Sequence, residues 1–187
     1  MSEKTEYIVR IAREQDMERL VEIYTPYVLN TNVSFEYEAP DVDEFTKRYR
    51  NIIANFPYLV LELDGVIQGY AYANTYKPRR AYDWCVETTI YLDQKSTGKN
   101  MGMILYSTLE TLLRKQNVQN LAACITCPNS ISRKFHEKFG FYEVAHFHKC
   151  GYKFGKWHDM IWMEKMIGNH DEPTLPFIPF SECNYTL

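Results

Sequence analysis

The sequence lacks both a long apolar run and a dense block of charge of one sign. No apolar stretch approaches the ~18 residues of a membrane-spanning helix. The first ten residues, MSEKTEYIVR, carry too much charge for a signal peptide. The 21 basic and 24 acidic residues leave a net charge of −3, which argues against nucleic acid or an anionic membrane as the main partner.

A paired cysteine framework is also missing. The five cysteines are odd in number and irregular in spacing, which fits reduced thiols in the cytoplasm better than disulfide bonds. Cys124 and Cys127 form a single C-x-x-C, and we expect the first to be buried in a strand and the second to lie in a loop. His146, His148 and Cys150 alternate nearby on a predicted strand. Because a metal ion needs three or four converging ligands, we expect no metal site here.

The residues that are present fit one globular domain. The chain has 187 residues, 45% of them hydrophobic and 24% charged, which is enough to bury a sizeable core. The predicted order of elements is β-α-α-β-β-β-α-β-α-β-β, which indicates an α/β (α+β) domain with a mixed sheet. We assign residues 1–168 to this domain and residues 169–187 to a proline-containing tail that lies extended over its surface.

Local signals place several of these elements. A helix with an apolar face from Met17 is predicted to kink or end at Pro26. Asp41, with Glu44 three residues later, predicts the N-cap of a second helix, and the turn 64–65, Asp-Gly, predicts a tight hairpin. Further strands are expected near residues 7–12, 85–92, 120–126, 142–149 and 157–166.

A passage from strand to helix between residues 91 and 116 is the first candidate site. Its polar stretch, 94–100, contains Gly98, and Gly102 follows at the start of the helix. Free N–H groups and the macrodipole at a helix N-terminus both favour an anion, and glycine lets a ligand approach the backbone. The stretch matches neither a Walker nor a Rossmann glycine loop, so a plain strand–helix turn remains the alternative.

Glu87 is the second candidate. The other side chains of its strand alternate on one face, at Val86, Thr88, Ile90 and Leu92. Glu87 therefore points to the opposite face. If helices cover both faces of the sheet, a carboxylate in mid-strand loses solvation and its pKa rises, which suits proton transfer near neutrality. An edge strand that leaves Glu87 in solvent is the alternative.

His136 is the third candidate, on the helix within PNSISRKFHEKFGF. This helix is predicted to bury Ile131, Phe135 and Phe139 on one face and to stop at Gly140. By spacing, His136 lies off that face. It is either a half-exposed histidine that packs beside Phe135, or a group that transfers protons near neutral pH.

Longer segments resemble a known family. The order of elements, with VETTIYLDQKSTGKNMG followed some thirty residues later by PNSISRKFHEKFGF, resembles the GNAT superfamily of acyl-CoA-dependent acetyltransferases. AYDWCVETTIYL, KFHEKFGF, GYKFGKWHDMIWMEK and the NVSFEYEAP loop are similar to its phosphinothricin N-acetyltransferase branch. The match runs from residue 7 to residue 165. It implies the GNAT fold, a central mixed, mostly antiparallel sheet flanked by helices on both faces.

The resemblance implies acetyl-CoA as co-substrate and no metal. In the family, a loop of the form Q/R-x-x-G-x-G/A binds the cofactor's pyrophosphate. Here this loop reads KSTGKN, so a lysine replaces the first Arg or Gln and Asn100 replaces a small residue. A strand backbone and the start of a later helix are implied to hold the pantetheine arm. The implied cofactor-binding residues are Ile90, Tyr91, Leu92, Lys95, Thr97, Gly98, Lys99, Asn100, Met101, Gly102, Asn129 and Ser132. Asn129 is also a natural helix N-cap.

The resemblance also implies roles for the catalytic and substrate-binding side chains. Glu87 is implied to be the general base. His136 stands where many GNAT members carry a tyrosine that protonates the departing CoA thiolate. The implied substrate-binding residues are Phe35, Lys77, Arg79 and Tyr82, although a basic loop of this kind is also simply solvated. His158 and Asp159, expected in the turn FGKWHD, either shape the same pocket or cap the hairpin.

The function implied is direct transfer of an acetyl group to the amine of a small amino acid or analogue, of the phosphinothricin, methionine sulfone or methionine sulfoximine type. Base-assisted attack by the amine needs no covalent enzyme intermediate, so no cysteine is essential. Acetylation of another amine, such as a peptide N-terminus or a polyamine, is one alternative. A CoA-binding sensor without turnover is another. A homodimer is the implied assembly.

Overall fold

In the computed structural model, which describes residues 7–96 and 100–185, seven strands form one sheet and four α-helices cover it. The strands are β1 (Tyr7–Ile11), β2 (Tyr58–Leu63), β3 (Val66–Thr75), β4 (Cys85–Leu92), β5 (Asn120–Cys127), β6 (Tyr142–Lys153) and β7 (Lys156–Met166). The helices are α1 (Met17–Asn30), α2 (Val42–Ile53), α3 (Met101–Lys115) and α4 (Ser130–Lys138). This order of elements confirms the predicted one.

The sheet order is β1-β2-β3-β4-β5-β7-β6. Neighbouring strands are antiparallel except β4 and β5, which are parallel, so the predicted mixed, mostly antiparallel sheet is confirmed. The parallel pair is short, since its register runs only from Cys85–Asn120 to Glu87–Ala122. Both strands continue for five more residues beyond that point. The sheet therefore opens in its middle, immediately after Glu87.

Helices cover both faces of the sheet, as predicted. On one face, Tyr91 of β4 meets Tyr24 of α1 at a ring-centroid distance of 4.9 Å. On the other face, the Thr88 hydroxyl lies 2.5 Å from the Tyr106 hydroxyl of α3. The Thr88 hydroxyl also donates to the Ala122 carbonyl oxygen at 3.0 Å. This hydrogen bond provides a partner for the β5 backbone at the point where its pairing with β4 stops.

The predicted caps and turns are mostly confirmed. The Asp41 side chain accepts a hydrogen bond from the Glu44 N–H at 2.8 Å and so caps α2. Asp64 and Gly65 have positive φ angles of 50° and 77° and connect β2 to β3. The last hairpin differs from its prediction, because its turn is only two residues long. His158 and Asp159 therefore lie in β7 rather than in a turn.

One of the two outcomes predicted at Pro26, the end of the helix, and one predicted buried residue are wrong. α1 does not end at Pro26 but continues to Asn30, because proline removes one N–H while the following turn remains packed through Val28, which is fully buried. Ile131 does not belong to a buried face of α4, since it is 84% exposed. The first turn of α4 borders an open cleft, and the helix packs instead through its second half.

Residues 169–185 of the tail follow the surface of the domain and contain no strand. Gln116, at the end of α3, donates to the carbonyl oxygens of Asn55 and Ile178 at 2.7 and 2.8 Å. Phe180 in turn donates its N–H to the Asn55 carbonyl oxygen and is only 4% exposed. In the described ranges, no helix has both the length and the apolar character of a membrane span.

We expect Phe180→Ala to lower the free energy of unfolding by about 3 kcal/mol, because it removes a large buried side chain and leaves a cavity. Leu175→Ala is the matched control, since Leu175 lies in the same tail but is 66% exposed. Chemical denaturation of the two variants and the wild type measures the difference. Equal stability of both variants would show that the tail does not contribute to the core.

Candidate active site

A cleft of about 400 Å³ occupies the gap that opens between β4 and β5; we call it the Glu87 cleft. Glu87 lines it from β4 and Cys124 from β5, while Ser132 and His136 of α4 border it on another side. The segment 33–36, which precedes α2, contributes a further wall. Met160 of β7 also lines the cleft, so the end of the short parallel pair brings residues from five parts of the chain around one space.

A second cleft, of about 570 Å³, lies at the start of α3, and we call it the α3 cleft. Residues 90–92 of β4 and residues 100–103 form part of its lining. The two clefts share five lining residues, which are Val33, Ile90, Tyr91, Asn129 and Ser132. The clefts are therefore adjacent along β4, and a long ligand has a route from the start of α3 to Glu87.

Glu87 is half-buried in the middle of β4, between Asn74 of β3 and Ala122 of β5. Burial raises the pKa of its carboxyl group above the ordinary value, because a charged carboxylate loses solvation there. The positive charge of Lys77 acts in the opposite direction and lowers this pKa. A carboxyl group in this setting accepts a proton at a higher pH than a solvated glutamate does.

His136 is 4% exposed, so the half-exposed alternative is wrong. The rings of Tyr106, Phe135 and Phe141 meet its imidazole edge-on at centroid distances of 5.2 to 5.6 Å. Its Nδ1 lies 2.8 Å from the Ser132 carbonyl oxygen, which can only accept, so Nδ1 carries the hydrogen. Burial lowers the pKa of His136, against the opposing effect of this bond. Near pH 7 the imidazole is therefore neutral, with an unprotonated Nε2.

The first turn of α4 lies where the two clefts meet. The Asn129 side chain accepts a hydrogen bond from the Ser132 N–H at 3.1 Å, which confirms the predicted N-cap. The Ser132 hydroxyl lies 3.4 Å from His136 Nδ1. Asn129 and Ser132 thus organise the helix end while their side chains face both clefts.

The start of α3 is the other end of the route. Asn100 has a left-handed backbone, with φ of 59°, which asparagine tolerates well, and its carbonyl oxygen accepts from the Met103 N–H. A Cβ atom on Gly102 would lie 3.1 Å from the Phe135 ring, so this glycine allows α3 to pack closely against α4. Met101 is buried. Thr97, Gly98 and Lys99 lie outside the described residues.

Lys95 precedes this helix in a short turn. Its backbone N–H donates to Asp93 at 2.9 Å, while the other oxygen of Asp93 forms an ion pair with Arg19 of α1 at 2.5 Å. Lys95 is exposed, and its neighbour Gln94 lines the α3 cleft. The turn that leads from β4 into α3 is therefore tied to α1.

The four predicted substrate-binding residues are not brought together. Phe35 lines the Glu87 cleft. Lys77, Arg79 and Tyr82 lie outside the described lining of both clefts, on the exposed connection between β3 and β4. The positive charge of Lys77 nevertheless lowers the pKa of Glu87.

Sequence reasoning missed several residues of the Glu87 cleft, among them Glu36 and Met160. The Glu36 carboxylate accepts from Arg48 at 2.7 Å and from the Tyr24 hydroxyl at 3.2 Å, so its charge is held in place. Glu36 stands in NVSFEYEAP, the loop that carried part of the resemblance, and this was the one available signal. Nothing in the local sequence marked Met160.

The C-x-x-C differs from its prediction. Cys124 is exposed to the Glu87 cleft rather than buried, because β5 has left β4 at that point, and Cys127 is the last residue of β5 rather than a loop residue. All five cysteines, each within the described ranges, are free. Cytoplasmic location stays a prediction.

Among the described residues, one group of three has metal-ligand atoms close together, namely His146, His148 and Asp159. One carboxylate oxygen of Asp159 lies 2.9 and 3.1 Å from the two imidazoles, and the other accepts the Lys149 N–H at 2.8 Å. These three bonds, led by the one from Lys149, lower the pKa of Asp159 to about 2. Hydrogen bonding alone accounts for the arrangement.

The comparisons with known proteins agree with this architecture. Residues 9–162 match the family model described as an acetyltransferase (GNAT) domain. The chain is 33% identical to a phosphinothricin N-acetyltransferase of Streptomyces viridochromogenes, over 81% of this chain and 83% of that protein. It is 29% identical to an L-methionine sulfoximine/L-methionine sulfone acetyltransferase of Salmonella typhimurium, over 88% and 97% of the two chains.

The fold agrees with that of a solved relative. A GNAT superfamily phosphinothricin acetyltransferase from Sinorhizobium meliloti, crystallised in complex with AcCoA, superposes with a TM-score of 0.88. The two sequences are 29% identical, and the match covers 94% of this chain and 97% of that one. Together with the family match, this confirms the resemblance seen in the sequence: the chain belongs to the GNAT family of acetyltransferases.

Proposed function

We propose that the protein transfers the acetyl group of acetyl-CoA to the amine of a small amino acid or analogue, of the phosphinothricin, methionine sulfone or methionine sulfoximine type. One observation carries the proposal. A half-buried carboxylate of raised pKa, Glu87, stands where β4 and β5 separate, in a cleft that adjoins a second cleft at a helix N-terminus. The activities named for the Streptomyces and Salmonella relatives support this substrate class.

The α3 cleft suits an elongated anionic cofactor. Beyond Glu87, residues 90–92 of β4 have no pairing with β5, which leaves backbone groups on that side available to amides of a pantetheine arm. The Leu92 carbonyl oxygen already accepts from the Tyr27 hydroxyl at 2.7 Å. The N–H groups of Met101 and Gly102 lie in the first turn of α3, where the macrodipole favours phosphate. Asn129 and Ser132 would contact the arm where the clefts meet. We assign the pyrophosphate to this helix start and to Lys95, Thr97, Gly98, Lys99 and Asn100.

Acetyl-CoA supplies an acetyl thioester, and the residues of this chain handle the protons. An ammonium cannot attack a thioester until it loses a proton, and Glu87 takes that proton directly or through a water molecule. The nitrogen–carbon bond then forms, and backbone N–H groups of β4 stabilise the oxyanion of the tetrahedral intermediate. The carbon–sulfur bond breaks, and the departing thiolate takes up a proton.

His136 serves this last step as a relay. Because its imidazole is neutral, with the hydrogen on Nδ1, it is not the acid at the outset. Nε2 accepts the second proton, which the nitrogen loses once the nitrogen–carbon bond has formed, and then donates it to the sulfur, after which the histidine is neutral again. The hydrogen bond from Nδ1 to the Ser132 carbonyl oxygen keeps Nε2 available throughout.

The Glu87 cleft complements a cationic amine. Glu36 and Glu87 both line it and both carry carboxyl groups, while Phe35 supplies an apolar wall. Lys77, Arg79 and Tyr82 are assigned to the outer rim, where basic and hydroxyl groups bind the carboxylate and phosphinyl or sulfonyl oxygens of a substrate. The electrostatic effect of Lys77 on Glu87 supports this placement.

The proposed activity is tested by following CoA release with a panel of amines. Phosphinothricin, methionine sulfone and methionine sulfoximine are expected to release CoA, whereas a peptide N-terminus and a polyamine are not. Release of CoA with only the peptide N-terminus or the polyamine would contradict the proposed substrate class and favour one of these amines instead. Binding of acetyl-CoA without release above background for any amine would make the protein a sensor.

We expect Glu87→Gln to lower kcat at pH 7 by about 10²–10³-fold, the range for positioned proton transfer. The loss should shrink as pH rises, because more of the substrate arrives as free amine. The melting temperature at pH 7 should stay the same or rise. A carboxyl pKa raised by folding means that ionisation opposes folding once the pH exceeds the unfolded value, and the amide removes that cost. A pH–rate profile with parallel thermal melts measures both effects, and a stable variant with an unchanged profile would remove Glu87 from the mechanism.

We expect Lys77→Met to move the acidic limb of the kcat/KM profile to higher pH. Loss of the positive charge removes the effect that lowers the pKa of Glu87, so the base form appears later in the titration. Lys156→Met is the control, because Lys156 is exposed on β7. A shift of the limb to lower pH, or equal shifts in both variants, would contradict the assigned interaction.

We also propose a homodimer. The last hairpin presents large aromatic side chains to solvent, with Tyr152, Phe154 and Trp157 respectively 48%, 54% and 59% exposed. We expect the wild type to sediment at twice its chain mass of 22.2 kDa and Trp157→Ser to shift the equilibrium toward the monomer. Leu175→Ser, an exposed change in the tail, should not. A monomeric wild type at micromolar concentration would exclude this assembly.

A further inference from the structure

The tip of the β6–β7 hairpin holds residues 31–37, which we call the Phe35 loop. Lys153, the last residue of β6, is 2% exposed. Its Nζ donates to the carbonyl oxygens of Val28, Thr31 and Ser34 at 2.6, 2.9 and 2.6 Å. An ammonium group has three hydrogens, so all of them are used on this one stretch of backbone.

These three acceptors lie at the end of α1 and in the Phe35 loop. The last carbonyl oxygens of a helix have no partner within the helix, and a positive charge at that end is stabilised by the macrodipole. Lys153 supplies both a partner and a charge to α1, and its third bond reaches three residues into the loop. One side chain therefore fixes how the chain leaves the helix.

His158, across the hairpin on β7, makes a second attachment. It is 5% exposed, and its Nδ1 lies 3.0 Å from the Asn32 side-chain nitrogen, which donates. Its Nε2–H donates to the Lys153 carbonyl oxygen at 3.0 Å. The imidazole thus connects Asn32 of the Phe35 loop to the backbone of Lys153, whose side chain binds the same loop.

Gly151 makes the third attachment by having no side chain. A Cβ atom there would lie 2.3 Å from Cε2 of Phe35, so the aromatic ring rests directly on the backbone of β6. Next to it, the Tyr37 hydroxyl donates to the Tyr152 carbonyl oxygen. The hairpin tip therefore sets the position of the Phe35 ring as well as the path of the loop.

This position matters because residues 33–36 form a wall of the Glu87 cleft. We propose that Lys153 is a positioning residue and Gly151 a specificity-determining one. Together they hold the Phe35 ring at the distance from Glu87 that sets which amines fit. The inference rests on the proposed function. In this proposal, the hairpin segment GYKFGKWHD determines the shape of the amine-binding side of the Glu87 cleft through its contacts with the Phe35 loop.

The first test is Lys153→Met, which keeps the length of the side chain and removes all three donors. Lys156→Met is the matched control on the same hairpin. We expect amide hydrogen exchange in residues 31–37 to accelerate in Lys153→Met only. We also expect its KM for the amine to rise by roughly tenfold, since small misplacements in a site carry costs of this size or more, while its KM for acetyl-CoA stays within twofold of the wild type.

The second test stays informative if Lys153→Met folds poorly. Gly151→Ala should push the Phe35 ring aside and raise the KM for a bulky amine, and the same change in a Phe35→Ala background should have little effect. Strong non-additivity of this kind is what two residues in contact produce. Additive effects, or effects confined to acetyl-CoA, would overturn the assignment.

The two readouts also separate this inference from the proposed function. Unchanged exchange in residues 31–37 of Lys153→Met overturns the attachment, whatever the kinetics show. Accelerated exchange with an unchanged KM for the amine overturns the positioning role. If the wild type acetylates no amine at all, the proposed function fails, and the exchange measurement then decides whether the hairpin holds the loop.

Discussion

The architecture of the site depends on how little β4 and β5 pair. Three residue pairs join them, and the last includes Glu87. A parallel pair that continued would have filled the middle of the sheet with backbone hydrogen bonds and left no room for a ligand. At the end of the pair, the Thr88 hydroxyl donates a hydrogen bond to the Ala122 carbonyl oxygen. Burial of Glu87, access to it and free backbone on β4 all follow from that one interruption.

The elements that short-range patterns encode were predictable from the sequence. Asp41 caps α2 through a residue three positions away, and the turn at 64–65 needs only the backbone freedom of its own two residues. α1 shows the limit of this reasoning. Pro26 is a local signal to stop, whereas the bond that holds the end of the helix comes from Lys153, 125 residues beyond its acceptor at Val28. No window of sequence contains both.

The candidate site divides in the same way. Glu87 and His136 were found from strand alternation and from the family resemblance, and the structure places both in one cleft. The other predicted substrate-binding side chains, Lys77, Arg79 and Tyr82, are neighbours in the sequence. Their proximity in sequence does not reveal whether the β3–β4 connection reaches the cleft. The neutral state of His136 follows from its burial against Tyr106 of α3 and Phe141 as well as its neighbour Phe135, so the protonation state on which its proposed role depends could be inferred only from the structure.

The tail couples its own attachment to the packing of two distant parts of the chain. The Gln116 side chain binds the carbonyl oxygen of Asn55, 61 residues away, and that of Ile178 in the tail. The N–H of Phe180 binds the same Asn55 carbonyl oxygen. Ile178 and Phe180 therefore have all of these partners only while the end of α3 lies beside residue 55, and a local opening between those two parts would release the tail with them.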